Sequence, residues 1–82
     1  MPGRPTAYIV MIGSSPTAVA TDLAAAQEKA LAREKRLYIN DDRLFRWSEL
    51  PGEWRLLARS PEKGARWRWT QRSVRNAPFF AS

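Results

Sequence analysis

The sequence predicts an α+β fold in the order βαβββ: an antiparallel three-strand meander plus an N-terminal strand, with one long helix packed on one face. Three stretches carry this. Ala7 to Ile12, AYIVMI, is a continuous apolar run with several β-branched residues, as in a strand buried on both faces. Pro16 to about Arg36 is alanine-rich with apolar residues at helical spacing. Residues 43–72, RLFRWSELPGEWRLLARSPEKGARWRWTQR, alternate apolar and polar around two turn signals. Eighty-two residues make a single small domain, with 1–6 and about 77–82 expected as frayed tails.

The elements follow in order. After the first strand, Gly13-Ser14 makes a turn. Ser15 is the expected N-cap and Pro16 the first helical residue. Val19, Leu23, Ala26, Ala30 and Leu37 then form the packing stripe. The stripe is nearly smooth, which suits a helix lying against bulky aromatic rings. Lys29, Arg33, Lys35 and Arg36 sit toward the helix C-terminus, where cations complement the macrodipole. Tyr38 and Ile39 either end the helix or open a short further strand; Asn40 is a candidate left-handed residue.

The meander admits a register test. With a turn at Pro51-Gly52, Phe45 faces Ala58, Trp47 faces Leu56 and Glu49 faces Trp54. With a second loop at Pro61 to Gly64, Ala58 faces Trp67 and Leu56 faces Trp69. One face then collects the indoles. The other collects Arg46, Arg55, Arg59, Arg66 and Arg68, with Arg72 following. Val74 is out of phase with Trp67 and Trp69, which predicts a bulge or break near Gln71 to Ser73.

Charge is unevenly placed. Residues 1–42 balance, and residues 43–82 hold nine cationic side chains against three acidic ones, so the whole net charge of +6 lies in the meander half. Such asymmetry favours an acidic partner. Arginine greatly outnumbers lysine, a bias that a GC-rich genome also produces.

Catalysis is not expected. There is no His and no Cys, so the usual general base, thiolate nucleophile and metal-ligand spacings are missing. The carboxylates fall on the helix surface or in turns, and the serines have no His to activate them. No cofactor or metal is implied. Gly13-Ser14-Ser15 offers a weak phosphate-binding pattern at a helix N-terminus, and a plain cap explains it better. Met1 to Ala20 has Arg4, a short apolar run and Ala18-Val19-Ala20, features of a secretory leader. The run is short and Gly13 breaks it, so a retained strand and a cytoplasmic location are expected. No stretch reaches transmembrane length.

The expected function is a non-enzymatic nucleic-acid-binding module, of the accessory or phage and plasmid regulatory kind. Arg46, Arg55, Arg59, Arg66, Arg68 and Arg72 would contact duplex DNA or RNA from one sheet face. Plant ethylene-response-type domains and arm-binding domains of phage integrases have a similar architecture, though their helix follows the sheet. The alternative is a protein-interaction module, an inhibitor or adaptor docking on an acidic protein. It would use the same arginines, with Trp54, Phe79 and Phe80 as apolar anchors. A homodimer through an open face or a free edge strand is a third arrangement. The indoles are read as core; exposed, they would form a stacking platform for single-stranded bases.

Overall fold

The structure is a computed structural model that describes residues 6–37 and 42–78. Five strands and one helix occur in the order β1 (Thr6–Ile12), β2 (Ser15–Ala20), α1 (Leu23–Leu37), β3 (Leu44–Leu50), β4 (Glu53–Arg59) and β5 (Arg68–Pro78). The strands form one sheet in the spatial order β2-β1-β5-β4-β3, and every neighbouring pair is antiparallel. The helix lies chiefly over β1, β2 and β5. This is the expected α+β class, with the meander and a helix on one face.

The expected order lacked one strand. Residues 15–20 form β2, not the first turns of the helix. Gly13 and Ser14 close a two-residue hairpin between Ile12 and Ser15, and Gly13 adopts φ 58°. A positive φ at the first loop position alone is the II′ pattern that suits strand twist. The hairpin places Ala18 and Ala20 against Val10 and Tyr8, and this tertiary pairing overrides alanine's intrinsic helix propensity, which is small per residue beside such context. Helix α1 instead begins after Asp22, which caps it: the Ala25 N–H donates to Asp22 Oδ2 at 3.2 Å and the Ala26 N–H to the Asp22 carbonyl at 3.0 Å. Ser15 is therefore no N-cap, and Gly13-Ser14-Ser15 adjoins no helix N-terminus. Since β1 lies between β2 and β5, no parallel β-α-β crossover links β1 to β3.

The core forms where the small face of α1 meets the sheet. Val10, Ala26, Ala30 and Val74 are completely buried, with Tyr8, Leu23, Trp47 and Trp54 packed around them. Burying each valine contributes about 1.5–3 kcal/mol. Alanines at 26 and 30 present little bulk to the sheet, and beside them Tyr8 and Trp54 pack with ring centroids 5.9 Å apart. Val19 and Leu37, expected in the helix stripe, are well exposed.

The first meander hairpin has the predicted register, with Phe45, Trp47 and Glu49 opposite Ala58, Leu56 and Trp54. Gly52 adopts φ 70° after Pro51, the type II combination. The second hairpin differs by one residue: Ala58 faces Arg68 and Leu57 faces Trp69. The loop runs on to Trp67, well beyond Gly64. A one-residue difference exchanges the faces of a strand. Arg68 therefore turns to the helix side, and Trp69 turns to the uncovered side.

The irregularity expected near 71–73 is present. Leu56 stands opposite residues 70–72, where Gln71 adopts φ 75°. Two extra residues preserve alternation, so Val74 and Arg68 both face the helix side. The Thr70 hydroxyl bridges the gap: it donates to the Leu56 carbonyl at 2.8 Å and accepts from the Arg72 N–H at 3.1 Å. Gly13 N–H donates to the Gln71 carbonyl at 2.7 Å, tying the first turn to the bulge.

Strand β5 continues through Ala77 and Pro78, which pair with Ala7 and Thr6, so these positions are sheet and not tail. Ala18 to Ala20 likewise lie within paired β2. Residues 1–5, Tyr38, Ile39, Asn40, Phe79 and Phe80 lie outside the described residues. Among the described residues no helix is long and apolar enough to cross a membrane.

Candidate nucleic-acid interface

The uncovered face of β3, β4 and β5 is built from alternate residues. Arg46 and Ser48 come from β3, Glu53, Arg55, Leu57 and Arg59 from β4, and Trp69, Ser73 and Arg75 from β5. Trp67, just before β5, joins them through its contacts. The Arg46 guanidinium carbon lies 4.7 Å from the centroid of Trp67, and that of Arg59 lies 5.1 Å from the same ring. The Arg55 guanidinium carbon lies 4.4 Å from the centroid of Trp69. Both indoles are half-buried.

These stacks have a physical logic. A guanidinium is planar and weakly hydrated, so it loses little by lying over an aromatic face. The contact is worth roughly 0.5–1 kcal/mol at an exposed site. It also restricts a long side chain that would otherwise sample many rotamers. The Trp69 indole is fixed from the other side, because its Nε1–H donates to the Arg72 carbonyl at 2.9 Å. Glu53 offsets some of the positive charge: Arg55 Nε lies 2.6 Å from one carboxylate oxygen and Arg75 Nε lies 3.5 Å from the other. Four guanidiniums against this one carboxylate leave the face cationic.

The six predicted arginines do not share one surface. Arg46, Arg55 and Arg59 do, on the uncovered face. Arg68, opposite Ala58, turns to the helix side; with Arg66 it lines a cleft of about 590 Å³ whose walls include Glu34, Arg43 and Thr70 and also Arg59 and Trp69 from the uncovered face. Arg72 is buried, facing Ile12 on the helix side, and is ion-paired with Glu34 at 2.6 Å. It is withdrawn from any surface contact. Glu34, read from sequence as helix surface, is buried for the same reason. Trp54 packs on the core beside Tyr8 and is half-buried, with part of its ring left accessible.

Among the indoles, Trp67 and Trp69 lie on the face opposite to the one their sequence register predicts. Arg66-Trp67-Arg68-Trp69 alternates whichever way it faces, so its own pattern is silent. Only the end of the preceding loop decides. Among the described residues no group of His, Cys, Asp and Glu could hold a metal ion. Comparison with protein-family models, with curated proteins and with solved structures found no match.

Proposed function

We propose that the chain is a small non-enzymatic nucleic-acid-binding module whose contact surface is the uncovered face of β3, β4 and β5. One observation carries the reading: two half-exposed indoles, Trp67 and Trp69, lie among Arg46, Arg55 and Arg59 at stacking distance. This is the pairing of aromatic and cationic groups that single strands and looped RNA require. Bases stack on rings or on guanidinium planes, and the remaining N–H edges reach phosphates. A duplex groove reader needs no such platform, so the ligand favoured is a single strand. Arg66 and Arg68 in the cleft add positive potential beside the loop and steer a polyanion toward it.

The test is titration with single-stranded DNA, RNA and duplex probes across a salt series. Single strands bind most tightly, with a log–log salt slope of about −0.7 per phosphate contact. Replacing Arg46, Arg55 and Arg59 together by Ala lowers that slope and leaves the circular dichroism spectrum unchanged. A triple variant that folds and binds all three probes like the parent removes the proposal. So does a partner captured from lysate that survives both nuclease and moderate salt, which points to an acidic protein.

A further inference from the structure

We propose that β3 is a self-complementary edge through which two copies of this chain pair, antiparallel, about a two-fold axis at Trp47. The inference rests on the sheet and not on the nucleic-acid reading. Strand β3 ends the sheet, and no described residue pairs with its outer side. The opposite edge, β2, is blunted by Pro16 and by a register shift, devices that keep an edge from recruiting another strand. Strand β3 has neither. Its one cation, Arg46, leans back over Trp67 of its own chain. Leu44 and Leu50 at its two ends are exposed, 41% and 38%.

The hydrogen-bonding parity sets the register. The Gly52 carbonyl accepts from Asn76 N–H and the Leu56 carbonyl accepts from Thr70 Oγ1, so even-numbered residues of this hairpin arm point toward β5. Odd-numbered residues of β4 therefore point toward β3. Their partners are Leu44, Arg46, Ser48 and Leu50. By antiparallel alternation, the N–H and C=O groups of Phe45, Trp47 and Glu49 point off the free edge. These three are centred on Trp47. A two-fold axis there sets Phe45 against the partner's Glu49, Trp47 against the partner's Trp47, and Glu49 against the partner's Phe45. Three such pairs with two bonds each satisfy every outward main-chain group of the strand.

The side chains agree with that register. Leu44 falls opposite the partner's Leu50 at both ends of the uncovered face, which covers the two exposed leucines. Arg46 falls opposite the partner's Ser48, so like charges do not meet directly. A shift by two residues in either direction would separate both leucine pairs and strand one main-chain site on each strand. The contact is isologous and closed. It also joins the two arginine–tryptophan faces into one continuous surface.

Sedimentation equilibrium and light scattering across a concentration series test it. The parent chain shows twice the 9.4 kDa mass of a single copy. Glu49→Pro removes one outward N–H without touching the β3–β4 ladder, a substitution edge strands tolerate. Leu44→Lys with Leu50→Lys places charge at both ends of the seam and leaves the backbone alone. Each variant keeps its far-ultraviolet circular dichroism and raises the dissociation constant at least tenfold. A single-copy mass for the parent up to about 1 mM, a contact weaker than about 4 kcal/mol, overturns the proposal. A dimer that persists unchanged in either folded variant also overturns it.

Discussion

Arg72 Nε donates to Glu34 Oε1 at 2.6 Å, with both side chains less than a tenth exposed. The pair joins the last turns of α1 to the bulge in β5. Desolvating both groups is costly, and their attraction with one good hydrogen bond offsets it. Glu34→Leu alone leaves a buried guanidinium and destabilises the fold by about 3–5 kcal/mol. Glu34→Leu combined with Arg72→Met recovers most of that loss. Urea titrations of the three chains measure the difference. Equal losses in the single and double variants contradict the account.

Ser73 is completely buried, and its hydroxyl has no hydrogen-bond partner among the described residues. An unsatisfied buried hydroxyl costs about 1–3 kcal/mol. Ser73→Ala removes the oxygen and leaves the strand pairing intact. Its denaturation midpoint equals or exceeds that of the parent. A marked drop shows that the hydroxyl has a partner after all.

Gln71 is the only non-glycine among the described residues with positive φ, at 75°. The left-handed region costs an L-residue roughly 1–2 kcal/mol, and glycine avoids that cost. Gln71→Gly is thus neutral or stabilising by up to about 1 kcal/mol, after the extra entropy of its unfolded chain. Gln71→Val clashes at the branched Cβ and destabilises by more than Gly gains. Thermal melts of the two variants order them. A Val variant as stable as the Gly variant shows that the bulge has relaxed away.

Legibility varied along the chain for physical reasons. Pro51-Gly52 strongly favours a two-residue type II turn, so the β3–β4 register followed from two residues and the alternation around them. The loop after Arg59 has no such lock, and an error of one residue there reversed both Trp67 and Trp69. The arginine face consequently lost Arg68 and gained two indoles. Strand β2 was hidden because Pro16 to Ala20 reads as a helix start, whereas Gly13-Ser14 is a two-residue hairpin signal between Ile12 and Ser15. The Glu34–Arg72 pair spans 38 positions, and nothing local marks it.

Ala30 is fully buried where α1 crosses the sheet, beside Val10 and Val74. There is no room for three further carbons without moving the helix. Ala30→Leu costs about 1–3 kcal/mol through overpacking. Ala32→Leu, on the exposed side of the same helix, changes stability by less than about 0.5 kcal/mol. Denaturant midpoints for the pair separate packing from helix propensity, since both positions gain the same side chain. Comparable effects at 30 and 32 place the helix face wrongly.

The stacking of Arg46 and Arg59 on a common ring predicts a measurable coupling. Trp67→Ala removes the ring from both guanidiniums, whose carbons lie 4.7 and 5.1 Å from its centroid. The single variants also lose area and charge, so their stabilities alone do not isolate the contact. A double-mutant cycle with Arg46→Ala and Trp67→Ala does, because effects outside the pair cancel. The coupling is about 0.5–1 kcal/mol, as for a half-exposed cation over an indole. It persists in high salt, since a ring quadrupole at contact distance is screened far less than a distant charge. A cycle with Arg68→Ala in place of Arg46→Ala gives no coupling, because Arg68 pairs with Ala58 and faces the helix side of the sheet. Equal coupling of Trp67 to Arg46 and to Arg68 would return both to one surface and contradict the register in which Ala58 faces Arg68.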